Sequence, residues 1–408
     1  MERKTLVAAI IILAVLVVFS SFAGGMFLGK SIEQRYAQDY ASDIPSVDKV
    51  GEVLQIIDHA YVDPVSDRKL VNGAVQGMVD AIGDPFTHYL DATHFKAFNE
   101  ETSGHFDGIG VVVSEGKTKE LVVVKPIEGT PAARAGIKAN DVIVKIGDKA
   151  TRGMDQESAV KLIKGKAGTK VTLTIRREGE KKLLTFTLVR EQINVPNVTS
   201  KMLKNQVGYA RIEQFNQRTG EDLKKEFDKL SGEGMKGFIL DLRQNPGGIV
   251  DEAVNVGSQF IQSGPIVKIK SKTGQIDSRD ATGGADTTTP VVVLVDKGSA
   301  SASEIVSGAL QDYKRAVIVG TTTFGKASVQ TVIRLSDGSG ILLTTDHYLT
   351  PAGRMIHKKG IKPDVIVKFK KTDKTDVQLE KAQQVVQDLI SGKMKLEPVS
   401  PDQFKAAS

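Results

Sequence analysis

The chain opens with an uninterrupted apolar stretch. No charged side chain occurs between residues 5 and 29, and residues 1–4 place positive charge before it. As a helix, this stretch is long enough to cross a hydrocarbon core of about 30 Å. An uncleaved anchor and a cleaved signal peptide share this pattern, but residues 20–25 form a poor cleavage site, which favours the anchor. Because Arg3 and Lys4 stay in the cytoplasm, we expect the remaining chain to lie outside the cytoplasmic membrane, or to be secreted if residues 1–30 are cleaved.

Apolar residues between positions 44 and 102 recur at helical spacing, for example at Val50, Val53 and Ile57. Two Asp-Pro pairs divide this segment into two short predicted helices. A helical piece of this size buries little surface by itself. We therefore expect it to pack on a neighbour or to pair with a second copy of the chain.

The pattern changes at Phe106, where short runs of β-branched and aliphatic residues begin. Two helical stretches, residues 131–135 and 156–163, interrupt these runs. Together they predict a compact, mostly β unit. The predicted strands are residues 110–114, 121–125, 141–146, 170–176 and 183–188.

After Val195, strands alternate with helices. Such alternation is typical of a layered α/β domain, in which the strand ends can present a site. A last amphipathic helix is predicted over residues 377–390. The predicted strands are residues 208–212, 237–242, 291–295 and 316–319, and the predicted helices between them are residues 219–230, 250–261 and 300–313.

Composition restricts the possible chemistry. The 408 residues carry a formal charge of +6, but the basic residues are scattered and no nucleic-acid-binding motif accompanies them, which disfavours nucleic acid as a partner. The absence of Cys from the sequence excludes a thiol nucleophile, disulfides and a thiolate metal site. The six His have no metal-ligand spacing, so we expect them at the surface or in packing contacts rather than as ligands.

Two segments of the β unit carry a specific resemblance. The run Gly108-Ile109-Gly110-Val111 precedes a strand, and Gly129-Thr130-Pro131-Ala132-Ala133-Arg134-Ala135-Gly136-Ile137 follows the next one. These residues resemble a PDZ domain, the alternative being a β fold with an ordinary tight turn. The resemblance implies that residues 108–111 bind the terminal carboxylate of a peptide, which adds as a strand. Asn140 stands where the family usually has Gly, and Asn tolerates a positive φ nearly as well.

A glycine-containing loop nearly fits the phosphate-binding Walker A pattern. The run Gly320-Thr321-Thr322-Thr323-Phe324-Gly325-Lys326-Ala327 follows a predicted strand. The pattern requires Ser or Thr in place of Ala327, because that hydroxyl ligates Mg²⁺. Residues 329–335 also have the pattern of a strand rather than the required helix. Both departures disfavour a nucleotide site.

Fragments of other catalytic motifs occur out of context. Ser-x-x-Lys is found at residues 46–49 and 66–69, and Lys-Thr-Gly at residues 272–274, but the order of motifs differs from that of penicillin-binding enzymes. The sequence contains no Gly-x-Ser-x-Gly elbow, so nothing supports an α/β-hydrolase.

The remaining candidate is a catalytic pair of one serine and one lysine, since a lysine that burial keeps neutral can take the proton of a serine. The relevant runs are Asp241-Leu242-Arg243-Gln244-Asn245-Pro246-Gly247-Gly248, Ser299-Ala300-Ser301-Ala302-Ser303-Glu304-Ile305 and Phe324-Gly325-Lys326. With Tyr348-Leu349-Thr350-Pro351-Ala352-Gly353-Arg354 and Gly360-Ile361-Lys362-Pro363-Asp364, they resemble the carboxyl-terminal processing peptidases, also called tail-specific proteases. The resemblance runs from about Val53 to Val367.

This resemblance assigns roles to individual residues. It implies that Ser301 is the nucleophile, that Lys326 is its general base and that Gln330 orients the lysine. The oxyanion is then held by backbone N–H groups of Ala302 and of the glycine pair, Gly247 or Gly248.

Several neighbouring residues are expected to be structural. Ser299 and Ser303 flank the nucleophile and either cap the helix or face the core. Asp312, eleven positions after Ser301, would share its face of one helix, but eleven residues rise about 16 Å, which is beyond hydrogen-bond reach. Lys164 stands where the family often has Arg, and its role stays open.

The resemblance also implies the architecture. It is an α/β multidomain protein in which a PDZ domain of the β-sandwich or barrel type precedes a layered α/β, crotonase/ClpP-like serine protease core. Helical elements at both ends serve dimerisation. The expected parts are an anchor or signal at residues 1–30, a helical region at 31–102, the PDZ domain at 103–190, the protease core at 191–375 and a C-terminal helical segment at 376–408.

The expected function is that of a membrane-anchored, dimeric serine endopeptidase with a Ser-Lys dyad that captures protein tails through its PDZ domain. No metal or organic cofactor is implied. Two alternatives stay open: an anchored PDZ scaffold whose protease core is catalytically silent, and a nucleotide-dependent protein that uses residues 320–326.

Overall fold

The computed structural model describes residues 47–116, 119–370 and 372–405. These residues belong to two compact units, divided between Gly83 and Asp84. The predicted anchor at residues 1–30 lies outside the described residues. None of the described helices is both long enough and apolar enough to cross a membrane.

Helices and strands alternate along most of the chain. The helices are α1 (Val47–Ala60), α2 (Asp67–Asp80), α3 (Ala92–Ser103), α4 (Pro131–Arg134), α5 (Gln156–Ile163), α6 (Thr219–Gly232), α7 (Val250–Ser258), α8 (Ala302–Asp312), α9 (Val377–Ile390) and α10 (Asp402–Lys405). The strands are β1 (His88–Leu90), β2 (His105–Gly108), β3 (Val111–Glu115), β4 (Leu121–Pro126), β5 (Val142–Ile146), β6 (Lys149–Ala150), β7 (Lys170–Arg176), β8 (Leu184–Val189), β9 (Glu191–Asn194), β10 (Val198–Leu203), β11 (Val207–Ile212), β12 (Gly237–Asp241), β13 (Pro265–Lys270), β14 (Ile276–Asp280), β15 (Val291–Val295), β16 (Ala316–Gly320), β17 (Ser328–Arg334), β18 (Gly340–Leu349) and β19 (Val365–Ile366). Helices α1 and α2 form the described part of the first unit.

The first sheet of the second unit has the strand order β3-β4-β5-β7-β8, with β6 beside β5. Its neighbouring strands are antiparallel. Alternate residues of β7, namely Val171, Leu173 and Ile175, are buried because successive side chains of a strand point to opposite faces. Ala159 and Ile163 of α5 pack into the same core. Strand β3 has β4 as its neighbour on one side and forms an edge of this sheet.

The central sheet has the strand order β10-β11-β12-β15-β16-β19. Strands β10 and β11 are antiparallel, and all later neighbours are parallel. Strands β12, β15 and β16 are buried along their whole length, as expected for parallel strands covered on both faces. Helices α6, α7 and α8 pack on one face and α9 packs on the other. This arrangement is the layered α/β domain that the alternating pattern predicts.

Parallel pairing brings three loops to one edge of the central sheet. Residues 242–249 follow β12, residues 296–301 follow β15, and residues 321–327 follow β16. Because the carboxyl ends of parallel strands lie together, this edge is where open α/β sheets place their ligands. All the predicted catalytic residues except Gln330 and Ala302 fall in these loops. Ala302 is the first residue of α8, and Gln330 is the third residue of β17.

A third sheet lies beside this edge. Its long strand β18 pairs with β1, β13 and β17, and β14 pairs with β13. Strand β17 begins directly after the loop of residues 321–327, so the hairpin of β17 and β18 supports that loop.

The prediction of two short helices between residues 44 and 102 was wrong in one respect. A third helix, α3, and the strand β1 occupy residues 88–103. The Asp91 carboxylate caps α3 by accepting hydrogen bonds from the N–H groups of Thr93 and His94. Strand β1 has only three residues and exists because it pairs with β18, a long-range contact that local periodicity cannot indicate.

Candidate active site

Ser301 lies at the residue before α8, at the edge of the central sheet. Its backbone is strained, with φ +52° and ψ −115°, and its side chain is almost buried. A non-glycine residue in such a conformation is uncommon and is typical of functional sites. The neighbouring serines have other contacts: Ser299 Oγ donates to Leu242 O at 2.8 Å and Ser303 Oγ donates to Asn245 O at 3.0 Å. These two hydroxyls attach the start of α8 to the loop after β12. Such contacts agree with the structural role predicted for both serines.

Gly247, the first residue of the glycine pair, packs directly against Ser301. A Cβ added to Gly247 would lie 2.7 Å from Ser301 Cβ and 2.8 Å from Ala302 N, so only glycine fits there. The Gly247 N–H already donates to Asn245 Oδ1 at 2.9 Å. In the described part of the chain, the N–H groups of Gly248 and Ala302 have no hydrogen-bond acceptor. Two unpaired backbone donors therefore remain beside Ser301.

Lys326 lies in the loop after β16 and is half-buried. Its Nζ donates to Gln330 Oε1 at 2.7 Å and lies 4.7 Å from the ring centroid of Phe86. Burial lowers the pKa of Lys326, while the carboxylates of Asp84 and Glu304 oppose this shift. The structure thus brings Lys326 and Gln330 together, in the contact that the sequence predicts.

The lysine is not yet joined to the serine. Among the described residues, no hydrogen bond connects Lys326 Nζ to Ser301 Oγ. The ammonium group instead has Gln330 and the Phe86 ring as its neighbours. A direct hydrogen bond between the two side chains would therefore require the lysine amine to leave this position.

Glu304 links the two segments that carry Ser301 and Lys326. This carboxylate is fully buried, and its Oε2 accepts from Ser301 N at 3.0 Å and from Lys326 N at 2.9 Å. Its Oε1 accepts from Gly325 N at 2.7 Å and from Thr323 Oγ1 at 2.5 Å. Burial raises the pKa of Glu304, and these hydrogen bonds act in the opposite direction.

The contacts of Glu304 were not predicted, although the sequence carries a signal for one of them. Ser301 and Glu304 have the Ser-x-x-Glu spacing of a capping box, in which the glutamate returns to the N–H group of the capping residue. The observed bond from Ser301 N to Glu304 Oε2 is that contact. The additional bonds to the lysine loop depend on the fold and have no sequence signature.

Tyr348 adds a second link between the same segments. Its hydroxyl donates to Lys326 O and lies 3.2 Å from Ser301 O. Burial raises the pKa of Tyr348 well above its usual range, so the phenol stays neutral and remains a donor.

Phe86 covers the lysine from a segment that the sequence analysis treated only as a helix boundary. Thr87 Oγ1 donates to Asp84 Oδ2 at 2.7 Å and accepts from Thr344 N at 3.1 Å, which holds this segment against β18. The Phe86 backbone carbonyl also accepts a hydrogen bond from Gln330 Nε2. Phe86 therefore reaches Lys326 through tertiary contacts of its segment.

A cavity of about 660 Å³ opens beside Lys326. Its apolar lining comes from Phe86, Pro246, Ala300 and Phe324. Gln244, Lys297 and Thr323 supply polar groups. A mostly apolar cavity lined by the half-buried Lys326, and by Ala300 directly before Ser301, has the character of a substrate cleft.

The loop predicted to bind a peptide tail lies in the first sheet, apart from the serine and the lysine. Gly110 has φ +74°, and an added Cβ would meet Thr130 side-chain atoms at 2.3–2.4 Å. The carbonyl groups of Ile109 and Gly110 accept from Ala132 N and Ile127 N, at 2.9 and 2.8 Å. In the described ranges, the N–H groups of Ile109 and Gly110 have no acceptor.

Lys164 lies close to this loop but is already paired. Its Nζ donates to Glu100 Oε2 at 2.6 Å and lies 4.6 Å from the ring centroid of Phe106. The ion pair joins the end of α5 to α3.

The structure also shows the surroundings of the Walker-like loop and of Asp312, for which no catalytic role is predicted. The residues after Lys326 form the strand β17, so the Walker-like loop lacks the helix that a phosphate site requires. Asp312 accepts from Ala352 N at 2.8 Å and pairs with Arg354 at 2.5 Å. Its contacts are thus structural, as predicted.

Replacement of Glu304 by Gln is expected to loosen both the Ser301 turn and the lysine loop. Each carboxylate oxygen accepts backbone N–H groups, whereas an amide has one acceptor oxygen, so an N–H group would face an NH₂ group. We expect a loss of about 2–3 kcal/mol in the free energy of unfolding and faster amide hydrogen exchange at Ser301, Gly325 and Lys326. The exposed Glu128→Gln is the matched control. Unchanged exchange at these three amides in E304Q would contradict the linking role.

Three family patterns match the chain. Peptidase family S41 matches residues 206–367, the PDZ domain matches residues 122–177, and the activating protease CtpB N-terminal domain matches residues 20–94.

Individual relatives agree with these matches. The carboxy-terminal processing protease CtpA of Bacillus subtilis is 41% identical over 78% of this chain and 68% of its own length. The carboxy-terminal-processing protease of Bartonella bacilliformis is 38% identical over 85% of this chain and 81% of its own length. Among solved structures, a photosystem II D1 C-terminal processing protease is 33% identical, with a TM-score of 0.48 over 84% of this chain and 98% of that protein.

These findings confirm the resemblance, the multidomain α/β fold class and the predicted enzyme class. The chain belongs to the carboxy-terminal processing proteases, serine proteases of peptidase family S41 that carry a PDZ domain.

Proposed function

We propose that this protein is a membrane-anchored endopeptidase that captures the C-terminal tails of proteins and cleaves them with a Ser301–Lys326 dyad. The observation that carries the proposal is the buried Glu304 carboxylate. One of its oxygens accepts the backbone N–H groups of both Ser301 and Lys326. The nucleophile and the base are therefore held in one hydrogen-bonded network.

The proposed reaction begins when neutral Lys326 takes the proton of Ser301 Oγ. The oxygen then attacks the scissile carbonyl carbon, and the oxyanion that forms is stabilised by backbone N–H groups. Collapse of the tetrahedral intermediate breaks the C–N bond, and the Lys326 ammonium returns its proton to the leaving amine. Water, activated by the lysine, hydrolyses the acyl-serine ester and restores the free hydroxyl.

Local geometry supports separate roles for the oxyanion groups. The Ala302 N–H and the Gly248 N–H are unpaired within the described residues, so both are available to an oxyanion. The Gly247 N–H donates to Asn245 instead, and Gly247 supplies the close approach to Ser301. We therefore assign the oxyanion to Ala302 and Gly248.

Burial prepares Lys326 for its role as a base. Desolvation lowers its pKa, and the rings of Phe86 and Phe324 line the cavity beside it. Gln330 holds the amine in reach and releases it when the side chain rotates toward Ser301. In this proposal the arrangement in the structure is a resting state, and substrate binding supplies the rotation.

Tail capture is assigned to the loop of residues 108–111. The unpaired N–H groups of Ile109 and Gly110 can donate to a terminal carboxylate, and the edge strand β3 can pair with the peptide backbone. The groove between β3 and α5 then holds the side chains of the tail.

Anchoring and dimerisation rest on the sequence and on the first unit. Residues 1–30 have the pattern of an anchor, which places the catalytic domain outside the cytoplasmic membrane. Helices α1 and α2 expose apolar side chains, including Val53, Ile56 and Met78, at 48–58% of their surface. A second copy of the chain would cover them.

Substitution of either dyad residue is expected to abolish cleavage. Wild type, Ser301→Ala and Lys326→Ala are incubated with an unfolded model protein, and the products are identified by intact mass. We expect kcat to fall by at least about 10³-fold in both variants, because the residual rate comes only from binding and the oxyanion groups. Ser271→Ala, at a half-buried position away from the site, and Lys272→Ala, at the exposed position that follows it, are the controls. Equal cleavage by all variants would refute the dyad, and inactivity of the wild type on any tail would favour the silent scaffold.

The terminal carboxylate of the substrate is expected to control binding. A protein substrate with an amidated C-terminus should have a KM roughly tenfold or more above that of the same protein with a free carboxylate, because charge-assisted hydrogen bonds are lost. A short peptide that is too short to reach the PDZ loop is the control, and its KM should be the same with an amidated and with a free C-terminus. Equal KM values for the two proteins would contradict tail capture.

The pH dependence of cleavage should respond to Asp84. Because the neutral lysine is the active form, the rate rises with pH through the pKa of Lys326. The ionised Asp84 carboxylate raises that pKa, so Asp84→Asn should move the rising limb of the pH–rate profile to lower pH. Asp148→Asn, at an exposed turn, is the control. A limb that stays in place or moves to higher pH would show that Lys326 is not the titrating base.

A further inference from the structure

Two of the six histidines lie side by side next to the lysine loop. His347 is on β18 and His357 is in the loop before β19, and their ring centroids are 5.7 Å apart with 62° between the ring planes. Their sequence spacing is not that of a metal motif. The pair forms because the chain turns back between them.

The ring nitrogens of His347 have distinct roles. Its Nδ1 lies 3.3 Å from Ala327 O, which can only accept a hydrogen bond, so Nδ1 carries the proton. The lone pair is then on Nε2. A histidine oriented by a backbone carbonyl through its other nitrogen is the usual arrangement of a metal ligand.

His357 provides a nitrogen that lacks a partner. Its Nδ1 is buried, and in the described part of the chain no group forms a hydrogen bond with it. A buried polar nitrogen without a partner requires an explanation, and an absent ion is one of those that account for such atoms. Neutral imidazole nitrogen is also a preferred ligand of zinc and related ions.

We propose that His347 and His357 bind one transition-metal cation of the zinc type, with water completing the coordination. Two imidazoles that share such an ion, at about 2.0–2.1 Å from each nitrogen, have ring centroids roughly 5–6 Å apart. The observed separation of 5.7 Å falls in this range. Among the described residues no group of three or more His, Cys, Asp or Glu could hold a metal. The ion therefore has two protein ligands, which makes it exchangeable rather than structural.

The charged side chains near the two histidines have opposing effects on the binding of a cation. Asp346, directly before His347, favours a cation, whereas Lys358 and Lys359, directly after His357, oppose it. Both lysines are exposed, so solvent and salt screen their ammonium groups. Protons compete with the metal for the imidazole nitrogens, and binding should weaken as the pH falls.

The position of the pair indicates what the ion does. His347 contacts Ala327 O, and the N–H of Lys358 donates to Gly325 O at 2.8 Å. The two histidines thus belong to the segments that hold the backbone on either side of Lys326. An ion that joins them stiffens this loop and hinders the rotation of the lysine toward Ser301. We therefore expect the bound ion to inhibit cleavage. This expected inhibition rests on the proposed function, whereas the proposed metal binding does not.

The test uses the full chain and the metal alone. Zn²⁺ is titrated calorimetrically, and Co²⁺ is used as a spectroscopic probe of nitrogen ligation. The variants are His347→Gln, His357→Gln and the double replacement, with His59→Gln, whose side chain is 80% exposed on α1, as the matched control. Thermal unfolding curves establish that each variant is folded.

We expect one Zn²⁺ per chain in the wild type and in H59Q, and at least about tenfold weaker binding in each single variant. The visible Co²⁺ band should disappear in the double variant. Equal Zn²⁺ affinity of the wild type and the folded double variant would overturn the site.

Cleavage assays separate the site from its consequence. Zn²⁺ should slow cleavage by the wild type and by H59Q, and should leave the rate of the double variant at its own metal-free value. Binding that leaves wild-type cleavage unchanged would overturn the inhibition. If the wild type cleaves nothing even without metal, the proposed function fails, while the binding data still decide the metal site.

Discussion

The active site depends on one buried carboxylate, that of Glu304. Burial of a charged group is costly unless hydrogen bonds replace its lost hydration, and here three backbone N–H groups and one hydroxyl do so. Because these donors come from the turn at Ser301 and from the lysine loop, the cost of burial is offset only when both segments are in place. The carboxylate thus couples the position of Ser301, the proposed nucleophile, to that of Lys326, the proposed base.

The rest of the fold brings the segments within reach of that carboxylate. Parallel pairing of β12, β15 and β16 places three loops at one edge of the sheet, where a glycine pair, a strained serine and a lysine approach one another. Gly247 permits the contact with Ser301, and Ser299 and Ser303 fix the start of α8 to the loop after β12. Strand β18 adds Tyr348 and supports the segment that carries Phe86.

Local sequence patterns were sufficient to predict the elements in which apolar residues recur at one clear spacing. The strand of residues 170–176 and the helices of residues 156–163 and 377–390 have the predicted bounds, because their buried positions recur at a strand or helix spacing. Strand β1 could not be predicted, since three residues carry no period and depend on β18. The Lys326–Gln330 contact followed from family resemblance. Phe86 and the full set of Glu304 contacts required coordinates, because they join residues far apart in the chain.

The central claim is that Ser301 becomes a nucleophile through Lys326 in the network of Glu304. The most direct test is labelling of the full chain with a serine-reactive fluorophosphonate, in the presence of a peptide tail with a free carboxylate, followed by peptide mapping. The account predicts a single adduct on Ser301 in the wild type and none in Lys326→Met, an uncharged replacement of similar length. An adduct on another serine, or equal labelling of Ser301 without the lysine, would contradict it.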